Sequence, residues 1–220
     1  MSYKRIIRDM RQILLFFFCC SFTITFAQTQ LGLKLAPVVA SNRAINDAQS
    51  VEKDGSAFKL SIGLVVDQPL SDSYFLSSGL IYIPKRVAFR TQDNSIQEEY
   101  TLQYLQIPAT LKLFTNEIAP DMKVYFQIGG GIEIKVFDKP ADPDYVAIRK
   151  FNPLDLSVIL GTGVEYRAGI NTTIFGGISY QRGLANAVKA TESDAGVLAT
   201  EYQDMQLRNT VVSIDLGVKF

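Results

Sequence analysis

From Met122 to Val136 every second residue is apolar or glycine: Met122, Val124, Phe126, Ile128, Gly130, Ile132, Ile134 and Val136 share one parity. Lys123, Gln127, Glu133 and Lys135 share the other with Tyr125, Gly129, Gly131 and Phe137. A period of two sends alternate side chains to opposite faces of a strand. An uninterrupted apolar stripe of this length is too long for the core of an ordinary sandwich. It suits a band that faces lipid, with the polar parity turned into a lumen.

The same alternation recurs along the chain and closes it, in "VVSIDLGVKF", where Val212, Ile214, Leu216, Val218 and Phe220 oppose Ser213, Asp215, Gly217 and Lys219. Eight strands are expected: Leu31 to Val39, Phe58 to Asp67, Tyr74 to Phe89, Tyr100 to Phe114, Met122 to Phe137, Leu154 to Arg167, Thr172 to Gln181 and Asn209 to Phe220. Soluble strands usually run about 5–6 residues. A tilted strand needs about 9–11 to cross a bilayer, which most of these reach. The connections alternate in size too. Long ones such as "SNRAINDAQSVEKDGSA" and "DKPADPDYVAIRKFNP" take turns with "QPLSDS", "TNEIAPD" and "RAGIN". Outer-membrane barrels pair long extracellular loops with short periplasmic turns in this way.

A leader is expected ahead of the barrel. Lys4, Arg5, Arg8 and Arg11 precede the apolar run "ILLFFFCCSFTITFA", which ends at Ala27. This is the pattern of a secretory signal peptide over 1–27, too short and too diluted by Ser21, Thr23 and Thr25 for a spanning helix. Residues 28–220 then form one mature barrel domain. A competing lipoprotein reading, with Cys19 or Cys20 acylated, is opposed by the bulky Phe18.

The mature chain carries almost none of the usual catalytic equipment. Both cysteines lie in the leader and the chain has no histidine. That removes thiol chemistry, disulfides, imidazole-based triads and most zinc sites, so neither cofactor nor catalytic residue is expected. Removing the leader's four basic residues and Asp9 from a balance of 22 basic and 22 acidic leaves 18 against 21. A chain so balanced is not a nucleic-acid binder.

Strand parity places Lys34, Lys59, Asp67, Lys112, Asp155, Glu165, Arg167, Asp215 and Lys219 on the polar face, with Glu133 and Lys135. The interior of an eight-stranded barrel is only just wide enough for side chains. Lys34, Lys59, Lys112, Glu133, Lys135, Asp155, Glu165, Arg167 and Asp215 are therefore expected to form a structural charge network, because an unpaired buried charge is strongly destabilising. Pro37, Pro84 and Pro108 fall inside strands and imply bulges or strand margins. "GGG" at Gly129 lacks the Lys-Ser/Thr of a phosphate loop and reads as a bend or close contact in the wall. "NTT" at Asn171 reads as a turn. The acidic loop residues Asp138, Asp142, Asp144, Glu192, Asp194, Glu201 and Asp204 lack calcium-loop spacing and read as solvated. Tyr82, Tyr104, Tyr166 and Tyr180 suit an interfacial aromatic belt.

The leader, the opening "LGLKLAPVVAS", the segment "YLQIPATLK" and the closing "IDLGVKF" resemble the PorT-like outer-membrane β-barrel proteins of Bacteroidota. The resemblance covers the mature chain and implies an eight-stranded antiparallel up-and-down transmembrane β-barrel in a Gram-negative outer membrane. It also implies that the terminal aromatic Phe220 is read by the barrel-assembly machinery. The family's namesake is implicated in protein secretion, and no residue here carries that role across. The leading expectation is a non-enzymatic barrel of structural, interaction or secretion-accessory type, with the lipid bilayer as solvent and protein partners at the loops. Competing readings are a narrow solute channel, an outer-membrane enzyme, and a soluble lipocalin-like barrel, which needs its apolar parity inward.

Overall fold

The computed structural model describes residues 29–45, 51–91, 97–142, 148–191 and 206–220. The expected leader with its two cysteines lies outside the described residues, as do Asp144, Glu192, Asp194, Glu201 and Asp204. Eleven strands follow in chain order: β1 Gln30–Ile45, β2 Val51–Lys53, β3 Ala57–Pro69, β4 Tyr74–Thr91, β5 Gln97–Ala119, β6 Met122–Pro140, β7 Ile148–Phe151, β8 Leu154–Arg167, β9 Thr173–Gly183, β10 Val188–Thr191 and β11 Gln206–Lys219. Each of the eight long strands pairs antiparallel with its neighbours, and β1 pairs with β11, so the meander closes on itself. Closure removes the free strand edges whose backbone groups lipid cannot satisfy.

The wall has the polarity of a membrane barrel. Leu33 and Leu35 on β1, Ile62 and Leu64 on β3, Phe126 and Ile128 on β6, and Ile214 and Leu216 on β11 are all exposed. Their strand neighbours Ser61, Asp67, Tyr125, Ser213 and Asp215 are buried. A soluble ligand-binding barrel needs the reverse, so the lipocalin-like reading is overturned. Tyr74, Tyr166 and Phe220 lie at the end that carries the start of β1, the end of β11 and the short turns, here called the terminal end; the opposite end is the loop end.

Three departures from expectation have physical causes. First, β4, β5 and β6 run past the apolar band, pairing Arg86 with Thr101, Phe89 with Glu98 and Leu102 with Asp138. Out there no lipid imposes a strict apolar parity. Second, the β5·β6 register shifts between Gln103↔Phe137 and Tyr104↔Lys135, leaving Val136 as the extra residue of a bulge. Both Val136 and Phe137 are consequently exposed, so Phe137 does not keep the lumen parity assigned to it. Third, the strands β7 and β10 pair with each other inside segments read as plain loops.

The prolines sit at irregularities. The β1·β11 ladder skips Ala36–Pro37 and the β4·β5 ladder skips Ile107–Pro108. Pro84 lies beyond Tyr82, where β3 no longer pairs with β4. Gly129 lies so close to β5 that a Cβ would sit 2.2 Å from the Ala109 carbonyl oxygen, which accounts for a glycine in the wall.

Inside, Tyr125 lies across Gly163 and Gly177, which face each other on β8 and β9. A Cβ on Gly177 would stand 2.6 Å from the Tyr125 hydroxyl oxygen. Gly177→Val should therefore cost about 1–3 kcal/mol, the usual penalty of overpacking a tight interior. Gly176→Val is the control. Its Cβ would meet Leu216 at an ordinary 3.6 Å on the lipid face, so its unfolding midpoint in urea should stay close to that of the parent.

Candidate functional site

The lumen is filled in three tiers. At the terminal end, Asp67 from β3, Lys112 from β5, Glu165 from β8 and Lys219 from β11 form a closed ring of two cations and two anions. Lys112 Nζ lies 2.7 Å from Asp67 Oδ2, Lys219 Nζ 2.9 Å from the same oxygen and 2.6 Å from Glu165 Oε2. Lys112 completes the ring at 3.6 Å from Glu165. Lys112 also stands 5.1 Å from the Tyr125 ring centroid and 5.6 Å from that of Phe175, within range for cation–π attraction.

In the middle tier Lys34 Nζ is 2.9 Å from Asp215 Oδ1, and Ser213 donates its hydroxyl to the same carboxylate oxygen at 2.7 Å. Beside them lies a cavity of about 50 Å³ lined by polar Lys34, Asp215 and Gln127 and by apolar Val38, Ile83 and Phe175. A void of that size with polar groups on one side has room for a few waters.

The third tier lies towards the loop end. Lys85 is ion-paired with Glu133 and stands 3.4 Å from Asp155 Oδ2. Glu133 and Asp155 face each other in the β6·β8 register. Like charges so placed repel, and Lys85 between them offsets this. Glu133 Oε1 accepts from Gln106 Nε2 and Ser157 Oγ, each at 2.9 Å, and from Gln181. Asn209 donates to Asp155 Oδ2 at 3.1 Å. Above this tier an apolar cluster of Val87, Phe89, Tyr100, Leu102, Ile148, Phe151, Val188 and Leu207 closes the loop end, with β7 and β10 folded across it.

The sequence-derived residues divide accordingly. Lys34, Lys112, Glu133, Asp155, Glu165 and Asp215 are brought into these tiers. Arg167 is the last residue of β8, exposed at the terminal mouth, where its backbone N–H donates to the Asp121 carbonyl oxygen. Lys59 is half-buried and has no ion pair among the described residues. Lys135 pairs with Asp138 at 2.7 Å, apart from the tiers. Tyr104 is no belt residue: it is fully buried, its ring centroid 4.8 Å from Lys85 Nζ. Lys85 itself escaped sequence reading. Asp67 and Lys219 keep the polar parity expected of them and join the network beside the residues expected to form it.

Residues 26–189 match the sequence profile described as "Outer membrane protein beta-barrel domain". The chain belongs to that family. It is an integral outer-membrane barrel. Among solved structures it is similar to the outer membrane protein OprG of Pseudomonas aeruginosa, at 12% identity over 87% of this chain and 95% of that one, with a TM-score of 0.55. Neisserial surface protein A is also similar, at 12% identity over 86% and 97% of the two chains, with a TM-score of 0.47. So is Ail, the attachment invasion locus protein of Yersinia pestis, at 12% over 87% and 98%, with a TM-score of 0.36. No curated protein sequence matched the chain. At these identities the likeness to OprG speaks for the fold alone.

Proposed function

We propose that this outer-membrane protein is a PorT-like, non-enzymatic barrel with a sealed lumen, acting through its outer wall and loop end as an interaction or secretion-accessory component. The observation that carries the reading is the loop-end closure: a cluster of buried apolar side chains stacks over the Lys85, Glu133 and Asp155 tier, its Tyr104 ring 4.8 Å from Lys85 Nζ. In this reading the charges are structural ties between strands rather than a solute pathway. Their carboxylates are engaged by lysines, amides and hydroxyls, which opposes a role as catalytic base or nucleophile. The mature domain is 28–220 after removal of 1–27, the terminal end faces the periplasm, and Phe220 serves barrel assembly. Phe220 is exposed to lipid and its backbone exchanges hydrogen bonds with Leu31 at the closing seam, which suits such a role.

Planar-bilayer recording tests the sealed lumen. Purified, folded barrel should give no unitary current steps above the bare membrane. A reproducible open conductance would overturn the reading in favour of a channel.

A further inference from the structure

Three arginines stand on the outer wall at the loop end of the apolar band. Arg43 on β1 faces Arg208 on β11 directly across the closing ladder. Arg182 on β9 pairs with Thr210, two residues along β11 from Arg208. Strand alternation turns all three outward, on the same face as the exposed Val39, Val212 and Ile178.

Two arginines directly opposite destabilise a strand pair unless something anionic lies between them. The protein supplies carboxylates elsewhere on this wall: on β4, Arg86 binds Glu99 at 2.8 Å and Arg90 binds Glu52 at 3.4 Å. Arg43, Arg182 and Arg208 have no carboxylate partner among the described residues. Among the described residues Arg208 reaches only the Gln206 side-chain oxygen, at 3.4 Å, and its buried Nε meets no acceptor. The unmet need is for an anion with several acceptor oxygens, which guanidinium forks suit. The surface beneath them continues into lipid, so a ligand with an apolar tail is held at both ends.

We infer that Arg43, Arg208 and Arg182 form a binding site for the phosphate of an anionic membrane lipid, in the leaflet at the loop end of the barrel. The arginine heads take the phosphate and the wall below takes the acyl chains. The site depends on membrane placement and is independent of whether the lumen conducts.

Native mass spectrometry of the folded barrel in detergent tests this with three probes. Phosphatidic acid carries phosphate and tails, diacylglycerol the same tails without phosphate, and inorganic phosphate the head alone. The parent protein should retain phosphatidic acid in clear preference to both others. Arg182→Gln should weaken that binding about fivefold, and Arg43→Gln/Arg182→Gln/Arg208→Gln by about a hundredfold, as expected for roughly equal contributions from basic residues near an anionic lipid surface. Arg86→Gln/Arg90→Gln should leave it unchanged. Heat-modifiable gel mobility establishes that each variant is folded, and the single Arg182→Gln stands in if the triple variant does not fold. The proposal is overturned if the arginine variants retain phosphatidic acid like the parent, if the β4 variant loses it equally, or if diacylglycerol or free phosphate binds as tightly.

Discussion

Glu133→Ala should destabilise the barrel by about 3–5 kcal/mol, the cost of removing one partner from a buried ion pair. Glu133 has no exposed surface and accepts hydrogen bonds from Lys85, Gln106, Ser157 and Gln181, which come from β4, β5, β8 and β9. Without it, Lys85 keeps only Asp155, at 3.4 Å, and the other three donors lose their shared acceptor. Asp155→Asn makes the informative comparison. It preserves shape, removes the like charge facing Glu133, and leaves the Lys85–Glu133 pair intact, so its cost should be well below that of Glu133→Ala. Urea unfolding in lipid vesicles, followed by far-ultraviolet circular dichroism because the chain lacks tryptophan, measures both. Equal losses would mean that Glu133 is not the hub of this tier.

The contrast between these two carboxylates marks how far parity could be read. Alternation at Met122–Val136 and Val212–Phe220 determined strand type, face and closure, because lipid penalises any polar group on the outer face and the pattern is therefore strict. Inside, the constraint is weaker. The inward face of β4 reads Ile81, Ile83, Lys85, Val87 and Phe89, apolar on either side of one lysine, since this strand passes from the polar tiers into the loop-end cluster. No alternation survives there to flag Lys85. Tyr104 departs from the expected belt for the same reason: a tyrosine on a half-apolar inward face has the pattern of a belt residue, and only its neighbours distinguish the two. The Arg43–Arg208 juxtaposition is legible only in the closing register, which joins residues from opposite ends of the chain.

The outer face yields the second large effect, and it should depend on depth. Leu216 is half exposed on the lipid side, between Leu35 of β1 and the side-chain-free Gly176 of β9, well inside the apolar band. Leu216→Arg should cost about 2–4 kcal/mol there, whereas Val39→Arg, at the loop-end rim beside Ser41, should cost about 0–1 kcal/mol because its head reaches the interface. Asp215→Asn, one residue away on the inner face, probes the other environment. Its partner Lys34 is 14% exposed, whereas Lys85 and Glu133 are 1% and 0% exposed, so losing the ion pair there should cost less than losing Glu133. Charge is thus penalised on the outer face in proportion to depth, and on the inner face the loss of a partner costs in proportion to burial. A soluble barrel would show no such gradient between residues 39 and 216, so equal destabilisation by the two arginines, measured in the same vesicles, would contradict the lipid-facing register.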